Sequence, residues 1–283
     1  MTNELHEQNR KSWNCATPAH ETHKAGQAAF LRDGGTTLFP EEKALLGDVR
    51  DRRVVHLQCN AGPDTLSIAA LGAQVTGVDI SDTAIEAARR LSEASGIAGT
   101  FVRSDLFDWF RSAPATFDVA FASYGALCWI SDLPAWARGV ASVLQPGGRL
   151  VVMEFHPALY AIEWVDGRWV FGPTRGGGGA RIDWPTGISD YVGASGDGLV
   201  PWGAALPGST FANPEQCHEF EWSIGDVVAA IADAGLRVST LREWHYSNGC
   251  RFWPPMIDLG ERRWGLPPEA PRVPLMYGLS ARR

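Results

Sequence analysis

The sequence predicts an α/β fold in which a mostly parallel sheet is covered by helices on both faces. Two observations lead to this fold class. Short apolar runs alternate with helical patterns from residue 54 to residue 155, and such alternation is typical of βαβ units. One of the runs, "FDVAFASYG", has the apolar character of a strand that is buried on both faces. With 283 residues, of which 45% are hydrophobic, the chain is long enough to bury a substantial core.

The elements of this core follow one another at regular intervals. A strand "VVHLQ" leads into the helix "DTLSIAALGA", and a strand "QVTGVDI" leads into the helix "SDTAIEAARRLSEASG". Ser81 or Asp82 is the expected N-cap of that second helix, and Gly96 lies beyond its end. The segments "GTFVRSD" and "FDVAFASYG" predict the third and fourth strands. A helix over "LPAWARGVASVLQPGG", closed by its "PGG", then precedes the strand "RLVVMEFHP".

The periodicity disappears after Pro157 and returns near residue 218. The segment between them is rich in Gly, Pro and Trp, and a structureless span of about sixty residues is anomalous in a compact domain. We therefore expect an inserted cap at residues 157–217. Beyond it, "SIGDVVAAIADAGLRVSTLREWHY" predicts a helix, a stop at Gly235 and a strand, and "VPLMYGLSARR" predicts the last strand. The predicted organisation is completed by a helical lid at residues 1–50 and a core formed by residues 51–156 and 218–283.

Composition limits the partners. The chain has 25 basic and 32 acidic residues, a net charge of −7, which argues against a nucleic-acid partner. No apolar run approaches the ~18 residues of a membrane span, and the polar start "MTNELHEQNRKSWN" lacks the apolar region of a signal peptide, so we expect no membrane partner and a cytoplasmic location. The five cysteines show no paired spacing and are expected to be reduced. Since no His, Asp or Glu cluster has metal-ligand spacing, we expect a reaction that needs no metal.

The turn "HLQCNAG" after the first strand restricts the cofactor. A strand-to-helix turn presents backbone N–H groups, but a dinucleotide's pyrophosphate also needs glycines for close approach. Gln58 and Asn60 occupy the first two glycine positions, and only Gly62 remains. Their side chains would crowd a pyrophosphate, yet they could hydrogen-bond a smaller zwitterionic group.

Acidic residues end the next two strands. Asp79 lies where a carboxylate binds both hydroxyls of a ribose, and Asp105 with Leu106 could bracket an adenine. The chain thus offers ribose and adenine sites beside a poor pyrophosphate site. This combination favours S-adenosylmethionine.

The region from Val54 to Pro157 resembles a class I S-adenosylmethionine-dependent methyltransferase that acts on small molecules. The likeness is carried, in the family's order, by "HLQCNAG", "VTGVDIS", "SDLF", "FASYGALCWISDL", "LQPGGRLVVMEFHP" and "PLMYGLSARR". It implies a seven-stranded Rossmann-like sheet with a reversed last hairpin, N-terminal lid helices and a cap inserted before the last two strands. It also implies S-adenosylmethionine as cofactor and S-adenosylhomocysteine as product.

The resemblance also implies which residues contact the cofactor. Asp79 would take the ribose hydroxyls, and Asp105 with Leu106 would bracket the adenine. The sequence departs from the family at His56, where an acidic residue usually helps to hold the methionine amino group. The full predicted set is His56, Gln58, Asn60, Ala61, Gly62, Asp79, Ile80, Ser104, Asp105, Leu106, Ser123 and Tyr124.

Three histidines are candidates for a catalytic base. His156 ends a parallel strand, at the edge where ligands of open α/β sheets bind, and it could either move a proton or only shape the pocket. Glu154, two residues earlier, could orient it, bind substrate or form a buried salt bridge. His20 and His23 lie in the presumed lid helix with Trp13 and would face the methyl group if that helix closes; a solvated face explains them nearly as well.

The acceptor is predicted to be a small, aromatic or polycyclic metabolite, methylated on oxygen or nitrogen. The insert is rich in aromatic residues, which could line an apolar pocket or form a satellite core of their own. Such a cap favours secondary metabolism, such as antibiotic biosynthesis, in a monomer or homodimer. The alternatives are a non-catalytic cofactor-binding module and a nucleotide-dependent oxidoreductase. The predicted substrate contacts are Trp13, Tyr160, Trp164, Trp222, His245 and Tyr246.

Overall fold

The structure is a computed structural model that describes residues 4–172, 177–202 and 210–283. Three helices occupy the segment that was predicted as a lid. They are α1 (Glu4–Thr22), α2 (Gln27–Arg32) and α3 (Pro40–Leu46). α1 buries mainly polar side chains, which indicates that it packs against other polar groups rather than into the apolar core.

The central part of the chain alternates strands with helices, as predicted. Ser81 caps α5 by accepting a hydrogen bond from Ala84 N–H at 3.1 Å, and Gly96 ends that helix in a left-handed conformation. A short helix after the third strand, α6, was not predicted, although Asp105 is its N-cap. The elements are β1 (Arg53–Leu57), α4 (Pro63–Ala70), β2 (Gln74–Asp79), α5 (Asp82–Ser95), β3 (Thr100–Arg103), α6 (Leu106–Ser112), β4 (Phe117–Ala122), α7 (Leu133–Val143) and β5 (Leu144–Phe155).

One boundary in this region was predicted wrongly. The helix expected over residues 133–148 ends at Val143, and Leu144 already pairs with Phe117 as the first residue of β5. Pro146 explains the difference, because proline cannot continue a helix and restricts the residue before it to an extended conformation. The "PGG" therefore belongs to the strand and not to a helix end.

Within its described residues, the insert contains one short α-helix and contributes to two small antiparallel strand pairs. The strands β6 (Ile162–Val165) and β7 (Arg168–Phe171) form a hairpin, and β8 (Ala180–Trp184) pairs with β9 (Cys217–Glu221). The helix α8 (Tyr191–Ser195) lies between them in the chain. Residues 173–176 and 203–209 of the predicted cap lie outside the described residues.

The last part of the chain returns to the main sheet but makes a second excursion. Gly235, with φ of +82°, follows α9 as predicted. A three-stranded sheet, which the sequence did not predict, lies between the final two strands of the core. The elements are α9 (Ile224–Asp233), β10 (Arg237–Trp244), β11 (Tyr246–Asn248), β12 (Ile257–Asp258), β13 (Arg263–Gly265) and β14 (Met276–Arg282).

The main sheet has seven strands in the order β3-β2-β1-β4-β5-β14-β10. Strands β1 to β5 are parallel, whereas β14 is antiparallel to both β5 and β10, which confirms the reversed last hairpin. The strand order reverses direction between β1 and β4. In open α/β sheets this switch point is where a ligand crevice forms at the carboxyl ends of the strands.

Apolar clusters on both faces of the sheet hold the helices in place. Val55 and Leu57 face a cluster that contains α6, α7 and α9, with Trp136 fully buried. Val54 faces the opposite cluster, which includes Leu46 of α3. Each fully buried large side chain contributes about 1.5–3 kcal/mol. Within the part of the chain that the structure describes, no helix is both long and apolar enough to span a membrane.

Candidate active site

A cavity of about 700 Å³ lies at the carboxyl ends of β1 to β5, under α1 and the insert. Ala61 and Gly62 are buried within the turn beneath it, and a Cβ on Gly62 would come within 2.9 Å of the Ala88 side chain. The other members of the predicted cofactor set all line the cavity. These are His56, Gln58, Asn60, Asp79, Ile80, Ser104, Asp105, Leu106, Ser123 and Tyr124.

The turn after β1 has a left-handed backbone at two positions that are not glycine. Gln58 has φ of +55° and Asn60 has φ of +48°, a left-handed conformation that costs roughly 1–2 kcal/mol for each non-glycine residue. Asp79 offsets part of this cost, because one carboxylate oxygen accepts from Asn60 N–H and the other from Ser81 N–H, each at 2.8 Å. Strained backbone that the surroundings enforce is typical of functional sites.

His56 lies under this turn as a neutral group. Its Nδ1 is 2.8 Å from Thr65 Oγ1, and its Nε2 is 3.3 Å from Ser123 Oγ. Burial lowers the pKa of His56 to about 4. The residue that replaces the family's acid therefore brings no positive charge to the cavity at neutral pH.

Gln58 is held by one end of its amide and leaves the other end open. Its Nε2 donates to Ala126 O at 2.8 Å. Its Oε1 is buried and has no hydrogen-bond partner among the described residues. Gln58 lines the cavity, and this oxygen is a buried acceptor that no described group satisfies.

Glu154 fixes the loop that holds Gln58. Its carboxylate accepts from the N–H groups of Gly125, Ala126 at 2.9 Å and Leu127 at 3.1 Å, as well as from its neighbour Phe155 at 2.8 Å. Burial raises the pKa of Glu154 to about 6, against the effect of these backbone donors. The residue orients backbone, and not the imidazole of His156.

Asp105 has both carboxylate oxygens engaged at the end of β3. One accepts from Phe107 N–H at 2.8 Å, and the other lies 2.6 Å from Nδ1 of His6, which stacks on the ring of Phe107. Burial opposes ionisation, but the hydrogen bond from His6 and its charge hold the pKa of Asp105 below the ordinary value. His6 lines the cavity and was not predicted, since nothing local marks it in a polar helix.

His156 does not line the cavity. Its Nδ1 accepts from Ala158 N–H at 2.9 Å, and its Nε2 is 2.9 Å from Glu243 Oε1 on β10. The imidazole thus caps a short 3₁₀ helix that begins at Pro157 and faces the antiparallel edge of the sheet. The geometry removes the basis for a general-base role, and we do not propose one.

His20 and His23 tie α1 to the insert instead of facing the cavity. Nε2 of His20 is 2.9 Å from Ser189 O, and Nε2 of His23 is 2.8 Å from a carboxylate oxygen of Asp190. All three titratable side chains are buried, and burial lowers the pKa of His20 to about 4. Neither histidine lines the cavity, so both are better described as connections between the lid and the cap.

The predicted substrate contacts divide into two groups. Trp13 and Tyr160 line the cavity. Trp164 packs on Trp169, and Trp222 donates to a backbone oxygen. His245 and Tyr246 make hydrogen bonds to Val273 O at 3.2 Å and to Glu41 at 2.7 Å, and these four residues lie away from the cavity lining.

The aromatic residues of the insert divide in the same way. Trp184, Tyr191 and Trp202 line the cavity, whereas Trp169 packs on Trp253 and Phe171 is 79% exposed. The insert therefore supplies part of a ligand pocket and part of a satellite core, as the two sequence-based alternatives allowed.

A polar group at one end of the cavity was missed by the sequence analysis. Glu42 of α3 lines the cavity, and the guanidinium of Arg262 lies 4.0 Å from the ring centroid of Phe39. Asn248 donates to the hydroxyl of Tyr124 at 2.8 Å. For Glu42 a local signal exists, since a Glu at the third position of a helix is a capping residue. Asn248 and Arg262 reach the site through the unpredicted β11–β13 sheet, for which the sequence gives no local signal.

Comparison with known proteins identifies a methyltransferase domain within the chain. The methyltransferase domain family matches residues 54–148, the stretch that builds the turn and the strand ends. About a third of the chain thus matches the methyltransferase domain of class I S-adenosylmethionine-dependent enzymes.

Relatives extend this result. The chain is 31% identical over 120 residues to a ubiquinone biosynthesis O-methyltransferase of Xanthomonas euvesicatoria pv. vesicatoria, covering 42% of this chain and 50% of that protein. The chain thus spans about half the length of that curated relative. A solved S-adenosylmethionine-dependent methyltransferase from Mesorhizobium loti has the same fold, with a TM-score of 0.57 at 23% identity over 89% of this chain and all of that one. The [4+2]-cyclase SpnF also shares the fold, with a TM-score of 0.53 at 16% identity over 84% of this chain and 76% of that one, so fold alone does not set the reaction.

Proposed function

We propose that this protein transfers a methyl group from S-adenosylmethionine to an oxygen or nitrogen atom of a small aromatic metabolite. The observation that carries the proposal is that the strained turn, the acidic strand ends and an aromatic roof all border one cavity. The cofactor site and the acceptor site would then be two parts of one space.

The residues present fit this cofactor. Among the charged side chains that line the cavity, acids outnumber bases by five to two, which favours a ligand that carries positive charge. S-adenosylmethionine carries a sulfonium and an ammonium group. Asp79 would hold the ribose, and Gln58 Oε1 would accept from the ammonium. Leu106, Asp105 and His6 would surround the adenine.

The bound cofactor supplies a methyl group on a positively charged sulfur atom. The tasks left to the chain are to align the acceptor and to exclude water. The roof rings of Trp13, Trp129 and Tyr191 serve the second task, with centroids 5.4 Å apart for Trp13 and Trp129 and 6.3 Å for Trp13 and Tyr191. Holding two reactants in the right geometry can lower a barrier by about 7–11 kcal/mol.

Several features support an aromatic acceptor. Phe155, Tyr160, Trp184 and Phe252 line the cavity, and a cavity of about 700 Å³ has the size of a site for a small organic molecule. The relative that is named a ubiquinone biosynthesis O-methyltransferase supports transfer to oxygen. A role in secondary metabolism, a metal-independent reaction, a cytoplasmic location and a monomeric or dimeric state stay predictions.

The oxidoreductase alternative has weaker support. A nicotinamide dinucleotide requires close contact between its pyrophosphate and the turn, and the side chains of Gln58 and Asn60 stand at the positions that need glycine. A cofactor-binding protein without methyl transfer would share every feature of the site. Only turnover separates that alternative from the proposed function.

The proposal is tested by calorimetric titration of the purified protein with S-adenosylmethionine, S-adenosylhomocysteine and NAD. We expect dissociation constants on the order of micromolar for the two sulfur nucleosides and no binding of NAD. Incubation of methyl-labelled S-adenosylmethionine with panels of phenols and amines then tests transfer. Binding of NAD, or of none of the three ligands, would contradict the proposed function.

A further inference from the structure

Glu42 is a buried carboxyl group at the border of the cavity. Its side chain lines the cavity, and the residue is only 1% exposed. Oε2 accepts from Phe39 N–H at 2.7 Å and so fixes the carboxyl group at the start of α3. Oε1 has no hydrogen-bond partner among the described residues. A buried acceptor without a partner is costly, and a ligand that donates to it would remove the cost.

The other acids that line the cavity have hydrogen-bond donors at their carboxylate oxygens. Asp79 and Asp105 accept hydrogen bonds on both carboxylate oxygens. Asp64 accepts from the hydroxyl of Thr37 at 2.5 Å, and Glu219 accepts from Trp184 Nε1 at 2.9 Å. Among these five acids, Glu42 alone has a fully buried carboxylate oxygen without a hydrogen-bond partner in the described part of the chain.

The surroundings of Glu42 contain groups of both signs. Asp64 of α4 and Glu41, which precedes Glu42 in the chain, disfavour ionisation of Glu42. Arg262, from the loop before β13, favours it. Tyr124, which follows β4, is another titratable group near Glu42. The charge of Glu42 contributes to the raised pKa of the Tyr124 hydroxyl. Tyr124 and Phe155 also line the cavity, so this polar group lies beside aromatic walls.

We propose that Glu42 is the proton acceptor of the reaction, and that it is ionised when the positively charged cofactor is bound. This inference rests on the proposed function. Glu42 takes the proton from an acceptor O–H or N–H group as the freed lone pair bonds to the methyl carbon. The electron pair of the broken carbon–sulfur bond stays on sulfur. The site thus loses the sulfonium charge and the carboxylate charge together, and Glu42 later returns the proton to solvent.

Electrostatics favours this coupling. Burial raises the pKa of Glu42 well above its ordinary value, Asp64 adds to the rise, and the Phe39 N–H and Arg262 oppose it. A positive charge within about 4–6 Å lowers the pKa of a carboxyl by about 1–3 units. Binding of the sulfonium would therefore shift Glu42 towards its ionised form, so that the base forms when the methyl donor is present.

The test compares proton release on binding S-adenosylmethionine and S-adenosylhomocysteine, which differ by the methyl group and the sulfonium charge. Calorimetry in buffers of different ionisation enthalpy, near pH 7.5, gives the protons released by each ligand. Because the ligands' own amino groups titrate at about pH 8, the informative quantity is the difference between wild type and Glu42→Gln. We expect that difference to approach one proton for S-adenosylmethionine and to stay near zero for S-adenosylhomocysteine.

Two variants serve as controls. Glu42→Gln keeps the helix cap, since a glutamine oxygen can accept from Phe39 N–H, and its melting temperature shows whether the fold is kept. Glu41→Gln removes the adjacent carboxylate, which binds Tyr246, Asn248 and Arg263 rather than lining the cavity. It should keep the difference in proton release between S-adenosylmethionine and S-adenosylhomocysteine, because Glu42 is still present.

The outcomes separate the inference from the function on which it rests. If both ligands bind and Glu42→Gln changes proton release equally for both or for neither, the role of Glu42 is wrong. The same conclusion follows if Asp64→Asn, and not Glu42→Gln, removes the difference. If the wild type binds neither ligand, the proposed function itself fails. With an acceptor from the phenol and amine panels, Glu42→Gln should lower kcat roughly 10²–10⁴-fold, and turnover within about threefold of wild type would overturn the inference.

Discussion

The floor of the cavity is formed by the loops after β1 to β4 and is held largely by hydrogen bonds to backbone N–H groups. The roof is formed by α1 and residues 184–202, and side chains of α1 connect its two parts. In the floor, Asp79 and Glu154 accept from backbone N–H groups of the loops they shape. In the roof, His20 and His23 connect one helix to a distant segment. The floor is thus specified by short loops at the ends of the strands, and the roof by contacts between segments that lie far apart in the chain.

The largest expected effect is on stability, when the carboxylate of Glu154 that holds the floor is removed. Glu154→Ala leaves the buried N–H groups of Ala126 and Leu127 without an acceptor, and each unsatisfied group costs about 1–3 kcal/mol. We expect the free energy of unfolding to fall by about 3 kcal/mol or more in urea titrations. Glu154→Gln, which keeps one acceptor oxygen, should lose less. Equal stability of Glu154→Ala and wild type would show that the floor does not depend on this residue.

The next effect concerns ligand affinity. Asp79→Ala removes the acceptor for Asn60 and Ser81 N–H and the proposed ribose contact, so S-adenosylhomocysteine should bind about 100-fold more weakly, equivalent to about 2.7 kcal/mol. The measurement is calorimetric titration. Gln74→Ala, at the exposed start of the same strand, is the matched control and should bind normally. Unchanged affinity in Asp79→Ala would place the ribose elsewhere.

The roof should respond to pH through His20. Its pKa in the folded protein is about 4, below the ordinary 6.5, so the unfolded chain binds the proton more tightly. The contribution of neutral His20 is fully present above pH 6.5 and is lost as the pH falls towards 4, by about 3 kcal/mol. His20→Gln should remove that part of the pH dependence in denaturant titrations. His245→Gln, the same change at an exposed histidine, should leave it intact; identical pH profiles for wild type and His20→Gln would contradict the account.

The smallest effect is expected at His156, which belongs to neither floor nor roof. His156→Gln should change the affinity for S-adenosylhomocysteine by less than about twofold, because its ring faces Glu243 and Ala158. His6→Gln, by contrast, alters a side chain that lines the cavity and pairs with Asp105, and should weaken binding by about tenfold. If His156→Gln were the more damaging variant, the position of His156 would need revision.

The same division explains what the sequence could predict. The floor follows from local patterns, because parallel strands bring their carboxyl ends to one edge and the residues there, such as Asp79 and Asp105, can be found from the strand assignments alone. Glu42 and Arg262 are 220 residues apart in the chain, and only the folded α3 and the small β11–β13 sheet bring them to one cavity. Contacts of that range leave no periodic signal.

His156 shows a different limit. Its position at the end of β5 was predicted correctly, but the direction of its side chain was not. Pairing of β5 with β14 and the start of a 3₁₀ helix at Pro157 turn the imidazole towards Glu243. The direction of a single side chain at a strand end depends on its neighbours in space, which strand patterns do not specify.

The central claim is that the floor binds the nucleoside and the roof covers the acceptor. The most direct measurement is a crystal structure of the protein with S-adenosylhomocysteine. We expect the ribose hydroxyls at Asp79, the amino group at Gln58 Oε1 and the thioether sulfur facing the space beside Glu42 and Tyr124. A nucleoside bound among the roof residues, or a cavity floor left without it at saturating ligand, would contradict this account.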